Sequence, residues 1–232
     1  MFLGHFGAAF ALKRLEPKLS LGTLFLAVQL PDLLWGAFLL TGWEQVRIDP
    51  GYTAVTPLQF IHYPISHSLL GMAGWSVAVA AAYYSWPTRD TSRHWQAAAL
   101  VGLAVLSHYL LDLLVHVPDL PVSGDSSIRL GFGLWNHPIA TLLLELATLA
   151  AGVTVYIAYR STRHPVRAGR LGGLVTALFS IYLLSFFGPP PPSVTVIAAA
   201  DIVGLLLLVA FAAWTDRRAT PDELAAARAR PR

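Results

Sequence analysis

The sequence has no cysteine and unusually few charged residues. Without a thiol, the chain can form neither a disulfide nor a thiolate metal site. Charged residues make up 12% of the 232 residues and hydrophobic residues 55%, whereas soluble domains carry roughly 25% charged residues. A soluble protein of this size could not cover its surface with so few charges. The composition therefore excludes a soluble globular enzyme, a disordered tail and a coiled coil, and it indicates a polytopic membrane protein.

Long apolar stretches predict an all-α membrane bundle. Six of them have about the 20 residues that a helix needs to cross the hydrocarbon core, and they cover residues 20–43, 65–86, 95–117, 138–159, 171–188 and 194–215. The run 2–12 is apolar but too short to cross, and we interpret it as a half-helix dipping into the membrane from the cytoplasmic side. Residues 1–215 are thus expected to form one membrane-embedded domain, followed by a polar cytoplasmic tail over 216–232.

The distribution of cations predicts the orientation of the bundle. Of the 16 Lys and Arg residues, 14 fall on one side when the six stretches alternate, and only Arg47 and Arg129 fall on the other. By the positive-inside rule, both termini are then cytoplasmic. The net charge of +3 is therefore a signature of topology, and nucleic-acid binding is not expected.

Ionisable residues within the apolar stretches are candidates for function, because charged groups in hydrocarbon are costly. They are His5, Asp32, His67, His108, Asp112 and Glu145, with Asp201 standing apart and His62, His116 and His137 near the outer interface. Counted at about 1.5 Å per residue along each helix, most lie between the midplane and the outer leaflet. On a continuous helix, His67 would lie about 30 Å from the cytoplasmic end, near the outer surface.

Two histidine motifs favour a metal site. His108 and Asp112 are four residues apart on one helix face, and they offer an imidazole nitrogen and a carboxylate oxygen to one ion. The alternative is that Asp112 only orients His108. His62 and His67 flank a proline turn at the head of the second stretch, and on their own they fit interfacial histidines equally well.

The carboxylates in the middle of apolar stretches also have structural alternatives. Pro31 should kink the first stretch, and Asp32 beside it either binds the metal or hydrogen-bonds to a neighbour such as Gln29. Glu145 and Asp201 can each be protonated and hydrogen-bonded, and for Asp201 we favour this interpretation.

Taken in order, these motifs resemble those of the bacterial inner-membrane metal-dependent hydrolase family, relatives of zinc-dependent phospholipase C. That family carries an early His, a Pro-Asp pair, H-R-G-x-T-H-S and H-x3-D. The corresponding residues are Gly4-His5, Pro31-Asp32, His62-x4-His67-Ser68 and His108-x3-Asp112. Tyr63, Pro64 and Ser66 stand for the family's Arg, Gly and Thr, and the resemblance covers residues 4–119, half of the chain.

The resemblance implies a metal-dependent hydrolase in the bacterial inner membrane. The implied metal ligands are His5, Asp32, His62, His67, His108 and Asp112. The implied cofactor is a divalent metal of the zinc type, as one or two ions. Such a metal activates water for hydrolysis, and we expect Glu145 and His116 to be the catalytic residues that move protons.

The expected depth of the site favours a membrane lipid or a lipid-linked substrate, with an ester, phosphoester or amide bond to be cleaved. Two other functions stay open. One is a transporter for a divalent metal or a proton-coupled solute, because intramembrane His and Asp serve transport equally well. The other is a structural protein whose metal ties helices together. No internal repeat is evident in the sequence, which argues against a secondary transporter.

Overall fold

The computed structural model describes residues 1–86, 94–161 and 168–217. Within these ranges lie nine α-helices: α1 (Leu3–Leu12), α2 (Leu21–Val28), α3 (Leu30–Thr41), α4 (Pro64–His67), α5 (Leu69–Ser85), α6 (His94–Val115), α7 (Pro138–Ser161), α8 (Ala168–Phe187) and α9 (Val194–Asp216). Two short antiparallel hairpins pair β1 (Gln45–Ile48) with β2 (Leu58–His62) and β3 (Leu120–Pro121) with β4 (Arg129–Leu130). The predicted helical bundle is confirmed, and the hairpins are an addition in its loops.

Four of the described helices are long and apolar enough to cross a membrane, namely α6, α7, α8 and α9. They match four of the six predicted stretches, and they make the chain a membrane protein by length and composition. A fifth span exists only if α2 and α3, which are bent by 52° at their junction, cross together. The prediction of six full spans is therefore confirmed only in part.

The second predicted stretch is not one continuous helix. Ser68 has an extended backbone (φ −74°, ψ 154°) that separates α4 from α5, and its hydroxyl accepts a hydrogen bond from the amide of Gly71. The 17 residues of α5 rise about 25 Å, which is short of a hydrocarbon core of about 30 Å. The break leaves His67 at the end of α4, where it can turn toward the bundle.

The predicted short helix over residues 2–12 is present as α1, and it is enclosed by protein. It packs mainly on α7 and also contacts α2 and α6. Gly7 and Gly152 allow this contact, because a Cβ on Gly152 would overlap the carbonyl of Gly7, and one on Gly7 would overlap the carbonyl of Thr148. Small residues at a helix interface let membrane helices approach backbone to backbone. A half-length apolar helix thus has a partner along its length.

The Gly7–Gly152 contact predicts a sharp difference between two glycine variants. Gly152→Ala should destabilise the protein by about 1–3 kcal/mol, because the methyl group overpacks the α1–α7 interface. Gly172→Ala in α8 is the matched control, since no described atom outside its own stretch of helix lies within 4 Å of the Cβ it would add. Alanine there should be neutral or stabilising by up to about 1 kcal/mol. Thermal unfolding of both variants in detergent measures the difference in stability. Equal stability of the two variants would contradict the close α1–α7 contact.

The far end of α1 is held by a buried ion pair. Lys13 Nζ lies 2.6 Å from Asp216 Oδ2, and the Tyr156 hydroxyl donates to Asp216 Oδ1 over 3.1 Å. Asp216 is the last residue of α9, one residue past the predicted end of the domain. The rest of the predicted tail, 218–232, lies outside the described residues.

Many of the cations that predict the orientation also lie outside the described residues. They are Arg89, Arg93, Arg163, Arg167, Arg218, Arg228, Arg230 and Arg232. The cytoplasmic placement of both termini accordingly stays a prediction.

Candidate metal centre

Five of the predicted ligands meet in one place inside the bundle. This His–Asp cluster consists of His5 from α1, Asp32 from α3, His67 from α4, and His108 and Asp112 from α6. Ligand atoms lie within 4.8 Å of one another in two overlapping groups, His5–Asp32–His108 and His67–His108–Asp112. The three imidazoles and Asp112 are buried, so four separate elements direct polar groups at one buried point.

The break between α2 and α3 brings Asp32 to the cluster. Helix α2 ends at Val28 and Pro31 lies in the first turn of α3, so the predicted kink is confirmed. Asp32 follows Pro31 in that turn, where the helix dipole favours a carboxylate. Asp32 Oδ1 lies 3.3 Å from His67 Nε2 and 3.5 Å from His108 Nε2. It does not bond to Gln29, whose side-chain amide has no hydrogen-bond partner among the described residues.

Asp112 lies at the centre of the cluster. Its carboxylate contacts the amino group of Met1. It also faces the Nε2 atoms of four imidazoles, at 3.1 Å (His5), 3.0 Å (His108), 3.8 Å (His116) and 4.0 Å (His67). A buried carboxylate is stable only with compensating positive charge or hydrogen-bond donors, and here nearly every neighbour is an imidazole that can also serve as a metal ligand.

Hydrogen bonds on the far side fix the orientation of two of these imidazoles. His108 Nδ1 donates to the carbonyl of Val28 over 2.7 Å. His67 Nδ1 lies 2.7 Å from Ser66 Oγ, whose own hydrogen goes to Glu44 Oε2 at 2.5 Å, so Ser66 accepts from His67. In both rings Nδ1 carries the proton and Nε2 points at the carboxylates. Metal-binding histidines are held in this way by an acceptor behind the ring.

His116 is held in the same manner beside the cluster. Its Nδ1 donates to Asp119 Oδ1 over 2.9 Å, which leaves Nε2 directed toward Asp112. The hydroxyls of Tyr63 and Tyr52 donate to the two oxygens of Asp119 at 3.2 Å and 3.4 Å. Burial and the neighbouring Asp119 raise the pKa of Tyr63 well above its usual value, so this phenol stays a donor. Tyr63, at the position of the family's Arg, thus supports Asp119.

The amino group of Met1 supplies one positive charge to Asp112, and for the remaining contacts between carboxylates and imidazoles a bound cation fits better than protonation of every ring. Lone pairs on Nε2 that face carboxylate oxygens repel them unless positive charge lies between. Within the part of the chain that the structure describes, His108 Nε2 has no hydrogen-bond partner, although it lies 3.0 Å from Asp112 Oδ2. The rings of His5 and His108 are stacked, with centroids 3.8 Å apart and planes within 4°, and two imidazolium ions in that position would repel. Neutral imidazoles and carboxylates together form a ligand set typical of zinc and related ions.

The carboxylate of Glu145 is engaged in hydrogen bonds, whereas a proton shuttle needs a free carboxylate. Its two oxygens accept hydrogen bonds from the amides of Phe2 and Gly4, each at 2.8 Å. These amides begin α1, which has no side-chain cap of its own. Glu145 thus supplies the N-terminal cap of α1 from α7, and it holds His5 at its place in the cluster.

Glu145→Gln should weaken metal binding without touching a ligand. An amide has one acceptor oxygen in place of two, so one amide of α1 loses its partner and the helix that carries His5 loosens. We expect the affinity for zinc to fall about 10-fold and the stability by about 1–2 kcal/mol. Glu16→Gln is the control, because Glu16 accepts from Lys18 away from the cluster. Zinc titration of both variants measures the difference, and an unchanged zinc affinity in Glu145→Gln would contradict the role of Glu145 as the cap that holds His5 in place.

The structure does not bring His62 or His137 into the cluster. His62, at the end of β2, pairs with Asp125 and is half-exposed. The Tyr63–Pro64 turn directs the chain inward only after His62, so His67 enters the cluster and His62 stays at the surface. His137 is exposed.

Two acidic residues that the sequence did not single out support the cluster from behind. Glu44 accepts from the amides of Ile65 and Ser66 at 2.8 Å, and it thereby holds α4. Asp119 holds His116. The spacing His116-x2-Asp119 is a local signal that could have identified Asp119. Glu44 lies 23 residues from His67 in the sequence, and no local pattern links the two.

A cavity of about 660 Å³ lies against the cluster. Asp32, His67, Asp112 and His116 line one part of it, and residues of α8 and α9 line another. Asp201 is among the latter, and its Oδ2 is buried without a hydrogen-bond partner in residues 1–86, 94–161 and 168–217. The expected hydrogen-bonded Asp201 is therefore not what the structure shows at this oxygen.

Comparison of the chain with protein-family models, with curated proteins and with solved structures gives no match. The resemblance to the metal-dependent hydrolases accordingly rests on the sequence motifs alone.

Proposed function

We propose that the protein is a membrane-embedded, divalent-metal-dependent hydrolase that cleaves an ester, phosphoester or amide bond of a lipid or lipid-linked substrate. The observation that carries the proposal is the shared orientation of His67, His108 and His116. Each has its Nδ1 proton committed to an acceptor, and each turns Nε2 toward the carboxylate of Asp112.

The metal would be held by His5, Asp32, His67, His108 and Asp112. His108 belongs to both candidate groups, yet its Nδ1 is engaged with Val28, so it has a single nitrogen to offer. This favours one ion over the two that the resemblance also allows. A divalent ion bound there supplies a Lewis acid that polarises the scissile bond and activates water.

His116 is the residue best placed to move protons in this reaction. Asp119 fixes its tautomer through Nδ1 and leaves Nε2 at the edge of the cluster, where it lines the cavity. A histidine oriented by a carboxylate is a common general base. Water entering the cavity can thus lose its proton to His116 Nε2 while Asp119 stabilises the ring.

The walls of the cavity favour a lipid substrate over a soluble one. Apolar residues of α8 and α9 line the cavity together with the polar residues of the cluster, and these apolar residues include Ile181, Leu184, Ile197, Leu205 and Leu208. Cavities of roughly 300–1,000 Å³ with apolar walls and a few polar groups are typical of small-molecule sites. A lipid with its head group at the cluster and its acyl chain along α8 and α9 would match both the polar groups and the apolar walls of the cavity.

The aromatic packing between the cluster and the C-terminal end of α1 argues against a transport path. Following His5 along α1, Phe6 and Phe10 pack on Phe25 with ring centroids 4.8 Å and 5.3 Å apart, and Phe10 packs on Tyr156 at 5.4 Å. These apolar rings lie between the cluster and the Lys13–Asp216 ion pair. A transporter needs access from both sides, whereas a hydrolase needs only the cavity.

Metal analysis combined with a hydrolysis assay tests the proposal. We expect the detergent-purified protein to bind zinc, manganese or a similar ion, and to release products from a total bacterial lipid extract only when loaded with that ion. Chelation should abolish hydrolysis, and returning the metal should restore it. A parent protein that binds no divalent metal, or a loaded protein that cleaves nothing while driving metal uptake into proteoliposomes, would overturn the proposal.

A further inference from the structure

One face of α9 lines the cavity that lies against the His–Asp cluster. Seven residues of this helix contribute to the lining, and they follow the i, i+3, i+4 pattern of a single helix face. They are Val196, Ile197, Ala200, Asp201, Gly204, Leu205 and Leu208. At about 100° per residue they span roughly half of the circumference of the helix, and Gly204 lies near the middle of that half. A side chain at position 204 would therefore point into the cavity.

The space in front of Gly204 is open. No described atom outside its own stretch of helix lies within 4 Å of the Cβ that another residue would place there. Glycines at helix contacts differ, because a Cβ on Gly22 would lie 2.6 Å from the Cβ of Ala213, and one on Gly36 would lie 2.9 Å from Ile202 Cγ1. Those glycines let helices approach each other, whereas Gly204 lets a molecule in the cavity approach the backbone of α9.

The glycine contacts also give the direction of α9 relative to the first helices of the bundle. Gly22 in α2 approaches the carbonyl of Val209, and Gly36 in α3 approaches the carbonyl of Ala198. A later position in the α2–α3 segment thus meets an earlier position in α9. The two segments therefore run antiparallel, and a step forward along one corresponds to a step backward along the other.

This register places Asp32 and Gly204 at the same level of the bundle. Gly36 lies against residues 198–202 of α9, and Asp32 lies four residues before Gly36 in α3. One turn earlier in α3 corresponds to about one turn later in α9, which covers residues 202–206. Gly204 is in the middle of that turn. The open space in front of Gly204 is accordingly level with a residue of the His–Asp cluster.

A molecule that occupies this space also lies beside the candidate metal ligands. Asp32, His67 and Asp112 line the same cavity as Gly204. A substrate with its cleavable bond at the metal has the atoms next to that bond at the level of Gly204. A longer side chain at position 204 would fill part of the cavity at that level, whereas glycine leaves the space to the substrate.

We infer that Gly204 sets the width of the substrate group that fits beside the His–Asp cluster, and that the site accepts a group wider than one alkyl chain, such as a branched or ring-bearing group. The inference rests on the proposed function, since it concerns the specificity of the same site. Gly204 has no side chain to bind a metal or move a proton. It is a specificity-determining residue through the space that it leaves.

Binding of three hydroxamic acids to the zinc-loaded, full-length protein tests the inference. Each binds zinc through the same two oxygens, and they carry a methyl group (acetohydroxamic acid), a straight chain (octanohydroxamic acid) or a wide cage (adamantane-1-carbohydroxamic acid). The parent should bind all three, as measured by titration calorimetry in detergent. In Gly204→Leu the affinity for the adamantane compound should fall about 10-fold or more. The affinity for acetohydroxamic acid should stay within about twofold, and that for octanohydroxamic acid within about threefold.

Gly172→Leu is the matched control. The same change in α8 also meets open space, but Gly172 lies outside the lining of this cavity. It should bind the three probes as the parent does. Both leucine variants should melt within about 3 °C of the parent, with or without zinc, because neither side chain meets a packed neighbour.

Unchanged affinity for the adamantane compound in Gly204→Leu would refute the inference, and so would a parent that rejects this compound. An equal loss for all three probes would also refute it, because a limit on width must spare the methyl group. If Gly204→Leu alone fails to fold, or melts more than about 6 °C below the parent, the space is not open and the inference is wrong. A parent that binds no zinc or other divalent metal defeats the proposed function, and the inference with it.

Discussion

Asp112→Asn should remove nearly all bound metal from the purified protein. The substitution takes a unit negative charge from the centre of the cluster, and it leaves an amide whose nitrogen cannot bind a cation. His108→Ala should do the same, because Nε2 of His108 belongs to both candidate ligand groups. Outer partners of a metal site commonly contribute 10- to 100-fold in affinity, so loss of a direct ligand should cost about 100-fold or more. Metal content per protein, measured after gel filtration, gives the result.

Two aspartate variants control this experiment. Asp125→Asn alters an exposed carboxylate that pairs with His62 and lies near Arg129, and Asp201→Asn alters a carboxyl group that lines the cavity but belongs to neither candidate ligand group. Both should keep the metal content of the parent. Full metal in Asp112→Asn and His108→Ala would refute the hydrolase proposal, and the structural or transport function would then lead.

His116→Gln should keep the metal and lose most of the hydrolytic activity. The amide of glutamine cannot accept a proton near neutral pH, and general base catalysis typically contributes about 100- to 10,000-fold in rate. We therefore expect kcat to fall by that order while metal content stays within about twofold. Asp119→Asn should show a smaller loss, because the imidazole remains but is no longer oriented by a carboxylate.

The chain offers a matched control for this dyad. His62 Nδ1 pairs with Asp125 at the surface, much as His116 Nδ1 pairs with Asp119 beside the cluster. His62→Gln should leave both the metal and kcat unchanged. A loss of metal in His62→Gln would instead restore His62 to the ligands that the resemblance implies, and an unaltered kcat in His116→Gln would exclude its role as the base.

Much of the helical bundle could be predicted from the sequence, because apolar runs of helical length have few alternatives. The kink at Pro31 was predictable for the same reason, since proline cannot donate to the preceding turn. The position of His67 was not. Counting along a continuous helix moves it toward the outer surface, whereas the extended backbone at Ser68 ends α4 directly after His67 and frees it from the axis of α5.

The candidate site likewise contains residues that the sequence could predict and residues that it could not. His108 and Asp112 lie on one face of one helix, so their proximity follows from spacing alone. The caps and supports depend on contacts between distant segments, as with Glu145, which caps α1 from α7. A sequence pattern reports helix faces, but it does not report which buried backbone amide lacks a partner.

The enclosure of α1 has a consequence for the order of assembly during synthesis. Helix α1 is synthesised before α7, yet the surface on which it mainly packs belongs to α7, which follows more than 100 residues later. At about 5–20 residues per second, the delay is on the order of 10 s. During that interval His5 has no α7 to hold it beside Asp112, and the amides at the start of α1 have no Glu145 to accept from them. The candidate ligand set is thus incomplete until the later helices are in place, so a nascent chain cannot assemble the whole His–Asp cluster before the bundle that encloses it.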